Sequence, residues 1–412
     1  MTSESAALDV HELLAALLLD APEAAGMLGV LRPDVLARTR EAYDALYRTE
    51  QPLPLPVLHA FAVVTADWQG SGALAAWHRA QGADAQLTAA DPVHGDAHGV
   101  RAETLQALRD HVDLLSLSPA LAATEDQERL AAAGVDAPTA VLISQLVSFE
   151  SYLQRLVLGL AALNGREVPS ADAPARTPHS RGRTAPQGGS TATGRPRPSA
   201  FTREVLDWEP WIPVPGEEEL TPQQRDSFAS KASAGSVYFR MLSLTPGITA
   251  ARSELDNAIF LPRDGLPKAE RELAAAVTSR VNDCIYCASV HARKAAGFSK
   301  READVDALLA ATLDRGVDWI TGDLAPLAAG QDDRWGALIT AAAELSRPRP
   351  RFDIAQVAEL RRHGLDAREI ADLVTAAGFF AWANRLMLSL GDASVPDADA
   401  PAPAQRLPAS VR

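Results

Sequence analysis

Cysteine is almost absent from this sequence, since only two of its 412 residues are cysteines. A chain of this length can form two or three domains, each with a full hydrophobic core, so it does not depend on disulfide staples. The two cysteines, Cys284 and Cys287, are nevertheless close neighbours. In a reducing compartment, such a pair is more typical of redox catalysis or metal binding than of a structural cross-link.

Aromatic residues and runs of β-branched residues are also scarce. Aromatics make up 5% of the chain, whereas alanine and leucine are abundant. Alanine and leucine favour helices, and sheets are usually enriched in β-branched and aromatic residues. The composition therefore predicts an all-α protein.

Basic residues are too few to balance the acidic ones, and the formal net charge is −14. This charge argues against a non-specific nucleic-acid partner or an anionic membrane surface. The N-terminus has no basic region typical of a signal peptide, and Asp20 interrupts its first apolar run. No apolar run approaches the roughly 18 residues of a membrane span. We expect a soluble, cytoplasmic protein with neither a nucleic-acid nor a membrane partner.

Large apolar residues nearly disappear between Arg166 and Ala200, where Pro, Ser, Thr, Gly, Ala and Arg dominate. Such a stretch cannot bury enough apolar surface to offset its ordering entropy. We predict a disordered linker over 166–200, helical domains over 1–165 and 201–394, and a flexible tail over 395–412. An alternative is an arm that docks on an acidic surface through its arginines, which are Arg176, Arg181, Arg183, Arg195 and Arg197.

The two cysteines lie where one predicted helix gives way to another. Pro267–Val277 has the pattern of an amphipathic helix opened by a proline, and Asn282 and Asp283 are predicted to cap a second helix that starts at Cys284 and ends at Gly297. On the second helix, positions 284, 287 and 291 share one face. The pattern therefore predicts two thiols beside the imidazole of His291.

These residues carry a resemblance to a known family. Their spacing is Glu-x11-Cys-x2-Cys-x3-His, formed by Glu272, Cys284, Cys287 and His291. It resembles the signature of AhpD-like alkylhydroperoxidases in the carboxymuconolactone decarboxylase superfamily. The resemblance extends roughly from Phe201 to Asp392 and includes Leu261-Pro262, Arg271 to Leu273, Ala292 to Gly297, and Asn384-Arg385. Tyr286 stands where some members carry a second histidine.

The resemblance implies a peroxiredoxin-type oxidoreductase active in antioxidant defence, without a cofactor or a metal. In such a protein Cys287 attacks an organic hydroperoxide, and Cys284 resolves the product into a redox-active disulfide. Glu272 acts as base through His291. The implied partners are a dithiol reductant, either a lipoyl protein or a thioredoxin-like protein, and further copies of the chain in a homo-oligomer.

Helix electrostatics suggests a different order of reactivity, because Cys284 lies nearer the helix N-terminus, where the dipole lowers a thiol pKa. Zinc binding is disfavoured, since Cys284, Cys287 and His291 supply three ligands and no second cysteine pair exists. Three alternatives to the peroxidase remain open. They are a thiol-disulfide oxidoreductase, a redox-responsive interaction protein, and a lyase of the carboxymuconolactone decarboxylase type, which does not need the cysteine pair.

The sequence also contains an internal repeat. Leu373–Leu390 aligns with Ile143–Leu160 at a constant offset of 230 residues, so that Arg385 meets Arg155 and Trp382 meets Tyr152. A second alignment, at an offset of 214, places the four signature residues on Leu58, Gly70, Ala73 and Trp77. We therefore predict a degenerate, non-catalytic copy of the same family over residues 1–165. An unrelated helical domain is the alternative.

Overall fold

A computed structural model describes residues 9–19, 25–89, 92–184 and 188–397 of the chain. It is 62% helical, and its only sheet among these residues is a two-stranded antiparallel ribbon, so the predicted all-α class is confirmed. Most of the predicted C-terminal tail lies outside the described residues.

The first half of the chain contains nine of the described helices. They are α1 (Val10–Leu19), α2 (Ala25–Leu28), α3 (Pro33–Tyr47), α4 (Leu55–Gln69), α5 (Gly72–Ala80), α6 (Ala85–Ala89), α7 (Ala102–Leu117), α8 (Thr124–Ala132) and α9 (Ala137–Leu163).

The second half contains nine further described helices and both strands. The helices are α10 (Pro222–Asp226), α11 (Val237–Leu242), α12 (Pro246–Phe260), α13 (Lys268–Val281), α14 (Ile285–Ser299), α15 (Glu302–Ala310), α16 (Asp333–Ser346), α17 (Ile354–Arg362) and α18 (Ala367–Leu390), and the strands are β1 (Asp207–Pro210) and β2 (Gly391–Ser394).

Six helices of the first half recur in the second half in the same order. Helices α3, α4, α5, α7, α8 and α9 correspond to α12, α13, α14, α16, α17 and α18. An offset of 230 residues places α8 on α17 from end to end, and an offset of 213 does the same for α3 and α12. The internal repeat predicted from the last helix of each half thus extends to most of the helical framework.

Corresponding helices of the two halves pack against each other, α9 on α18 and α3 on α12. The rings of Tyr152 and Trp382, which the repeat aligns, lie 6.0 Å apart between centroids. Side chains that contact their own counterparts lie close to a two-fold axis in a symmetric dimer. The two halves are therefore arranged like the subunits of a dimer within one chain.

Two buried arginines make reciprocal contacts across this interface. Arg155 on α9 donates from Nη2 to the carbonyl of Arg347 at the end of α16, at 2.6 Å. Its counterpart Arg385 donates from Nε to the carbonyl of Leu115 near the end of α7, at 2.9 Å. Each half thus satisfies backbone carbonyls at a helix end of the other.

Helices α9 and α18 are also long and apolar enough to cross a membrane by length and composition alone, although the sequence predicted no such run. Within their most apolar stretches, 89% and 94% of the residues are buried inside the fold. Central helices of a soluble protein meet the same criterion, and these two lie at the centre of the shared core.

The segment 166–200 forms no helix in the part that the structure describes, and two of its arginines contact acidic residues of the first half. Arg176 forms an ion pair with Asp113, and Arg183 contacts both carboxylate oxygens of Asp126 at 2.6 and 2.8 Å. The composition and hydropathy of a segment do not reveal specific ionic contacts of this kind. These ion pairs join part of the segment to the first half, and the linker over 166–200 stays a prediction.

The end of this segment and the β ribbon lie beside the cysteine pair. Strand β1 pairs with β2, which directly follows α18, and the indole of Trp208 donates to the carbonyl of Met387 at 3.1 Å. Arg197 forms an ion pair with Asp392 at 2.7 Å. The ribbon thus fixes a tryptophan-rich segment against the C-terminal end of α18.

Candidate active site

The cysteine pair lies at the turn between α13 and α14. Asp283 has a left-handed backbone conformation with φ 62°, and the amide of Cys284 donates to the carbonyl of Ser279 at 2.8 Å. Cys284 is itself the N-cap of α14, and no side chain caps this helix. The predicted capping by Asn282 and Asp283 is therefore wrong.

The side chains of this turn bind to neighbouring elements. The Asp283 carboxylate accepts from the Trp319 indole at 2.7 Å and from Arg315 at 3.2 Å. Asn384 on α18 accepts from Asn282 and donates to Ser279 Oγ, both at 3.0 Å. These contacts fix the turn between a loop and the longest helix of the second half, and so they position both thiols.

Both cysteines are free and buried, with 1% of Cys284 and 5% of Cys287 exposed. Burial raises the pKa of the Cys284 thiol well above its usual range, and interaction with Cys287 raises it further. The helix dipole was expected to lower this pKa, but desolvation raises it and is the larger effect.

Glu272 is fully buried and pairs with His291, which is slightly exposed. Nδ1 of His291 lies 2.5 Å from Oε2 of Glu272, and Lys294 Nζ lies 3.5 Å from Oε1. Burial opposes ionisation of Glu272, but His291 and Lys294 outweigh it and lower the carboxyl pKa. Burial also lowers the pKa of His291, against the opposing effect of Glu272.

These shifts assign a protonation state to the pair. Near neutral pH Glu272 is a carboxylate and His291 is a neutral imidazole that donates its Nδ1 hydrogen to Glu272. Nε2 of His291 then has a free lone pair and can accept a proton. Cys287 lies one helical turn before His291 on α14, on the same face. The arrangement can remove a proton from a thiol or from a bound molecule.

Cys287 and His291 line one pocket of about 110 Å³. Its apolar lining consists mainly of Phe239, Val290, Phe379, Phe380, Ala383 and Met387, and its polar lining includes Tyr238, Arg252, Asp256 and Lys294. The Tyr238 hydroxyl is buried and has no hydrogen-bond partner among the described residues. The Arg252 guanidinium lies 4.9 Å from the ring centroid of Phe379.

Cys284 lines a different pocket, of about 370 Å³. Trp208, Trp211 and Trp319 contribute to its walls. Tyr286 and Met387 line both pockets and therefore form the partition between them. The two thiols of one motif thus face two separate spaces, which the helical pattern of the sequence does not indicate.

Tyr238 and Arg252 were missed as site residues by the sequence analysis. They precede the cysteine pair by more than thirty residues, on α11 and α12, and carry no spacing signal of their own. The one indication of a site role in the sequence was the position of Arg252 among apolar residues of α12.

The corresponding place in the first half has no thiol, as the alignment predicted, but it contains a polar cluster that the alignment did not reveal. Nδ1 of His78 lies 2.9 Å from Nδ1 of His59, and its Nε2 lies 3.1 Å from Glu150. The Tyr47 hydroxyl donates to Glu150 at 2.6 Å. All four side chains are buried, so we interpret the cluster as a structural substitute for the site of the second half.

Comparison with protein families places this geometry in a known class. Residues 246–318 match the model of the carboxymuconolactone decarboxylase family. The match covers α12 to α15 and includes Glu272, Cys284, Cys287 and His291. The match to this family, which includes AhpD-like proteins, thus lies within the C-terminal half of the chain. The comparison with curated proteins gives no match. The family supports an enzymatic function of the peroxidase or decarboxylase type.

Proposed function

We propose that the protein is a thiol-dependent reductase of organic hydroperoxides. The observation that carries this proposal is the shared pocket of Cys287 and His291, in which the imidazole is held by the buried carboxylate of Glu272. A thiol reacts with peroxides as its thiolate, so a thiol in a buried site needs a positioned base. His291 supplies that base, and Glu272 orients it.

The first half of the reaction takes place at Cys287. Nε2 of His291 accepts the thiol proton, and the thiolate attacks the terminal oxygen of the hydroperoxide. The O–O bond breaks, Cys287 becomes a sulfenic acid, and the alkoxide leaves with the proton of His291 as an alcohol. Tyr238 is placed to donate a hydrogen bond to the peroxide, and Arg252 to stabilise the negative charge of the alkoxide.

The second half joins the two cysteines. The sulfur of Cys284 attacks Cys287, an S–S bond forms, and the sulfenic hydroxyl leaves as water with the proton of the Cys284 thiol. One hydroperoxide and two thiols thus give one alcohol, one water and one disulfide. The raised pKa of Cys284 fits this role, since a resolving thiol need not be ionised before the sulfenic acid has formed.

The pocket lining indicates the substrate class. Three phenylalanines and small aliphatic side chains surround Cys287, and the pocket volume is about 110 Å³. This space suits a hydroperoxide with a small apolar substituent better than hydrogen peroxide, which leaves the apolar walls without a partner. We place the reaction in a reducing cytoplasm, where a dithiol can return the disulfide to thiols.

Turnover by the full chain tests the proposal. The purified protein is mixed with tert-butyl hydroperoxide and dithiothreitol, and peroxide consumption is measured. Cys287→Ser abolishes turnover, and Cys284→Ser accumulates a sulfenic acid on Cys287 that mass spectrometry detects after one equivalent of peroxide. Normal turnover by Cys287→Ser, with sulfenic acid on Cys284, would reverse the two roles. Disulfide formation without turnover would instead favour a redox-responsive interaction protein.

A decarboxylase-type lyase is the second candidate, because Nε of Arg252 is buried without a hydrogen-bond partner among the described residues. A guanidinium in an apolar pocket is suited to bind a substrate carboxylate. The same variants separate the two candidates, since a lyase of this kind retains activity when both cysteines are replaced by serine.

A further inference from the structure

The position of Cys284 depends on the turn before α14 rather than on the helix itself. Cys284 is the N-cap residue, with φ −88° and ψ 89°, whereas Cys287 lies inside the helix. Asp283, directly before Cys284, has a left-handed backbone with φ 62°. Residues other than glycine seldom adopt this conformation unless their surroundings hold them in it. The contacts of Asp283 therefore influence where the sulfur of Cys284 lies relative to that of Cys287.

Two side-chain partners of Asp283 belong to a single loop, residues 315–321, whose ends pair with each other. The Asp283 carboxylate accepts from the Trp319 indole at 2.7 Å and from Arg315 at 3.2 Å. Arg315 also donates to the carbonyl of Arg280 at the end of α13, at 2.9 Å. This loop therefore holds the cysteine turn from the side opposite Asn384.

The 315–321 loop has an unfavourable backbone conformation of its own. Asp318 and Trp319 both have positive φ angles, of 65° and 59°. Two successive left-handed residues that are not glycine are costly, and more so when one of them is a bulky aromatic. Such a conformation persists only where contacts from outside impose it.

The first half and the segment after it supply such contacts. Ser118, which lies between α7 and the 3₁₀ turn Pro119–Leu121, donates from Oγ to the backbone carbonyl of Asp318 at 2.5 Å. The hydroxyl of Ser180 donates to the carboxylate of Asp318 at 3.2 Å. Both serines are buried. Asp318 is thus held through its backbone and through its side chain.

The far end of the loop is also connected to the first half. The carbonyl of Thr321 accepts from Nη1 of Arg347 at 2.9 Å. The carbonyl of Arg347 in turn accepts from Arg155 of α9 at 2.6 Å. Contacts from the first half therefore reach the loop on both sides of Trp319.

We propose that Ser118 is a positioning residue for the cysteine pair, so that the first half takes part in the reaction of the second. Ser118 holds Asp318 and Trp319 in their left-handed conformation. Trp319 then holds Asp283, and Asp283 fixes Cys284. This inference rests on the proposed function only in taking disulfide formation by the cysteine pair as the step that this position controls.

Disulfide formation is sensitive to position because the bond requires a narrow range of distances and angles between the two side chains. Cys287 is fixed by its helix, whereas Cys284 moves with the turn. A looser turn brings the two sulfurs into bonding geometry less often. Loss of the Ser118 contact should therefore slow disulfide formation even in a fully folded protein.

The test uses the reduced full-length protein and diamide, an oxidant that needs no peroxidase activity. Loss of free thiols is followed in Ser118→Ala, in Trp319→Phe, which keeps an aromatic ring but cannot donate to Asp283, and in the double variant. Ser148→Ala is the matched control, because Ser148 is also a buried serine of the first half but donates within α9, to the carbonyl of Ser144. Denaturant unfolding of each variant reports stability separately.

We expect Ser118→Ala and Trp319→Phe each to slow disulfide formation by about five-fold or more, since small displacements of reacting groups have large kinetic effects, and Ser148→Ala to stay within about two-fold of the unmodified protein. The double variant should react within about two-fold of Trp319→Phe alone, because two residues that act through one contact are not additive.

A Ser118→Ala protein that reacts as fast as Ser148→Ala would overturn the proposal. A double variant slowed by the product of the two single effects would do so as well, because Ser118 would then act independently of Trp319. In a parallel experiment the reduced protein is mixed with tert-butyl hydroperoxide. A protein that this hydroperoxide does not oxidise refutes the proposed function, while the diamide comparison still decides on Ser118.

Discussion

Glu272 has no solvent exposure, its carboxyl pKa is lowered by His291 and Lys294, and it contacts one nitrogen of His291, so we propose that it holds the imidazole in place. A buried charge is tolerated when it is paired, and here Lys294 and the His291 N–H provide the pairing. Because the imidazole is neutral, the site can accept a thiol proton at physiological pH. We therefore expect the reactivity of Cys287 to depend on His291 of the same helix and on Glu272 of the preceding helix.

Replacement of Glu272 tests this dependence. Glu272→Gln retains size but removes the charge, and we expect hydroperoxide oxidation of the reduced protein to slow by about 10²-fold, the usual weight of a positioned base. Glu272 raises the pKa of His291, so its loss also lowers that pKa and shifts the acid limb of the pH–rate profile to lower pH. Stopped-flow rates across the pH range measure both effects.

Glu270→Gln is the matched control for this substitution. Glu270 lies on the same helix and is also largely buried, but it pairs with Arg334 outside the site. We expect its pH–rate profile to coincide with that of the unmodified protein. If Glu272→Gln showed the same profile, Glu272 would have no part in proton transfer.

At the scale of elements, α18 supports the cysteine turn through one side chain. Asn384 is fully buried and bonds to both Asn282 and Ser279, which lie on either side of the α13 C-terminus. Asn384→Ala removes two buried hydrogen bonds and leaves the Asn282 side-chain amide without this partner, whereas Ser279 keeps its bond to Ala275, so we expect the free energy of unfolding to fall by about 1–3 kcal/mol. Denaturant titration of the full chain measures this change.

The same substitution has a kinetic consequence that a purely structural residue would not show. In Asn384→Ala we expect slower disulfide formation between Cys284 and Cys287, even without denaturant, when the protein is fully folded. The reason is that Asn384 no longer holds the turn that carries the cysteines in place. Asn164→Ala, at the half-buried C-cap of α9 outside the site, serves as the control. An Asn384 variant with normal disulfide formation would confine its role to stability.

The elements also show what the sequence can and cannot predict. The helix period and the proline before α13 predicted the two helices that carry the motif, and the roles of Cys287, Glu272 and His291 stay predictions. The predicted end at Gly297 was wrong, since α14 continues to Ser299 and Lys300 adopts the left-handed conformation. Glycine is permissive and tolerated within a helix, so it does not fix a helix end by itself.

Long-range contacts account for most of what the sequence did not reveal. Asp283 is a good N-cap by composition, but Trp319 and Arg315 bind its carboxylate and hold the residue outside α14. The separation of the two thiol pockets depends on Met387, which lies a hundred residues after the motif. Local patterns identify the motif, and only tertiary packing shows its surroundings.

At the scale of the whole molecule, the two halves share one core, in which α9 packs closely on α18. A Cβ atom added at Gly159 would lie 2.4 Å from Val374 Cγ1. Gly159→Ala therefore forces the two helices apart or distorts Val374, and we expect a loss of about 1–3 kcal/mol in the free energy of unfolding. Thermal or denaturant unfolding checks this value.

Gly336→Ala is the contrasting variant. Gly336 is also inside a helix, α16, and an added Cβ would meet nothing within 4 Å. Alanine is the better helix former there, so we expect a gain of up to about 1 kcal/mol. Equal effects of the two substitutions would mean that α9 and α18 can move apart at Gly159 with little loss in the free energy of unfolding.

The last prediction concerns the first half as a built-in partner. The resemblance implied a homo-oligomer, but α9 and α3 already cover the faces of α18 and α12 that a second subunit would occupy. We therefore predict that residues 201–412, expressed alone, expose these apolar faces and self-associate or aggregate, because large unpaired apolar surfaces promote association. Residues 1–165 added in trans restore a soluble complex that contains one copy of each half. This complex needs a higher protein concentration than the full chain does, because the linker raises the effective concentration of the two halves to about the millimolar range. Light scattering on the separate and mixed halves measures this. Residues 201–412 that remain monodisperse, stable and active without the first half would show that the two halves fold as independent domains.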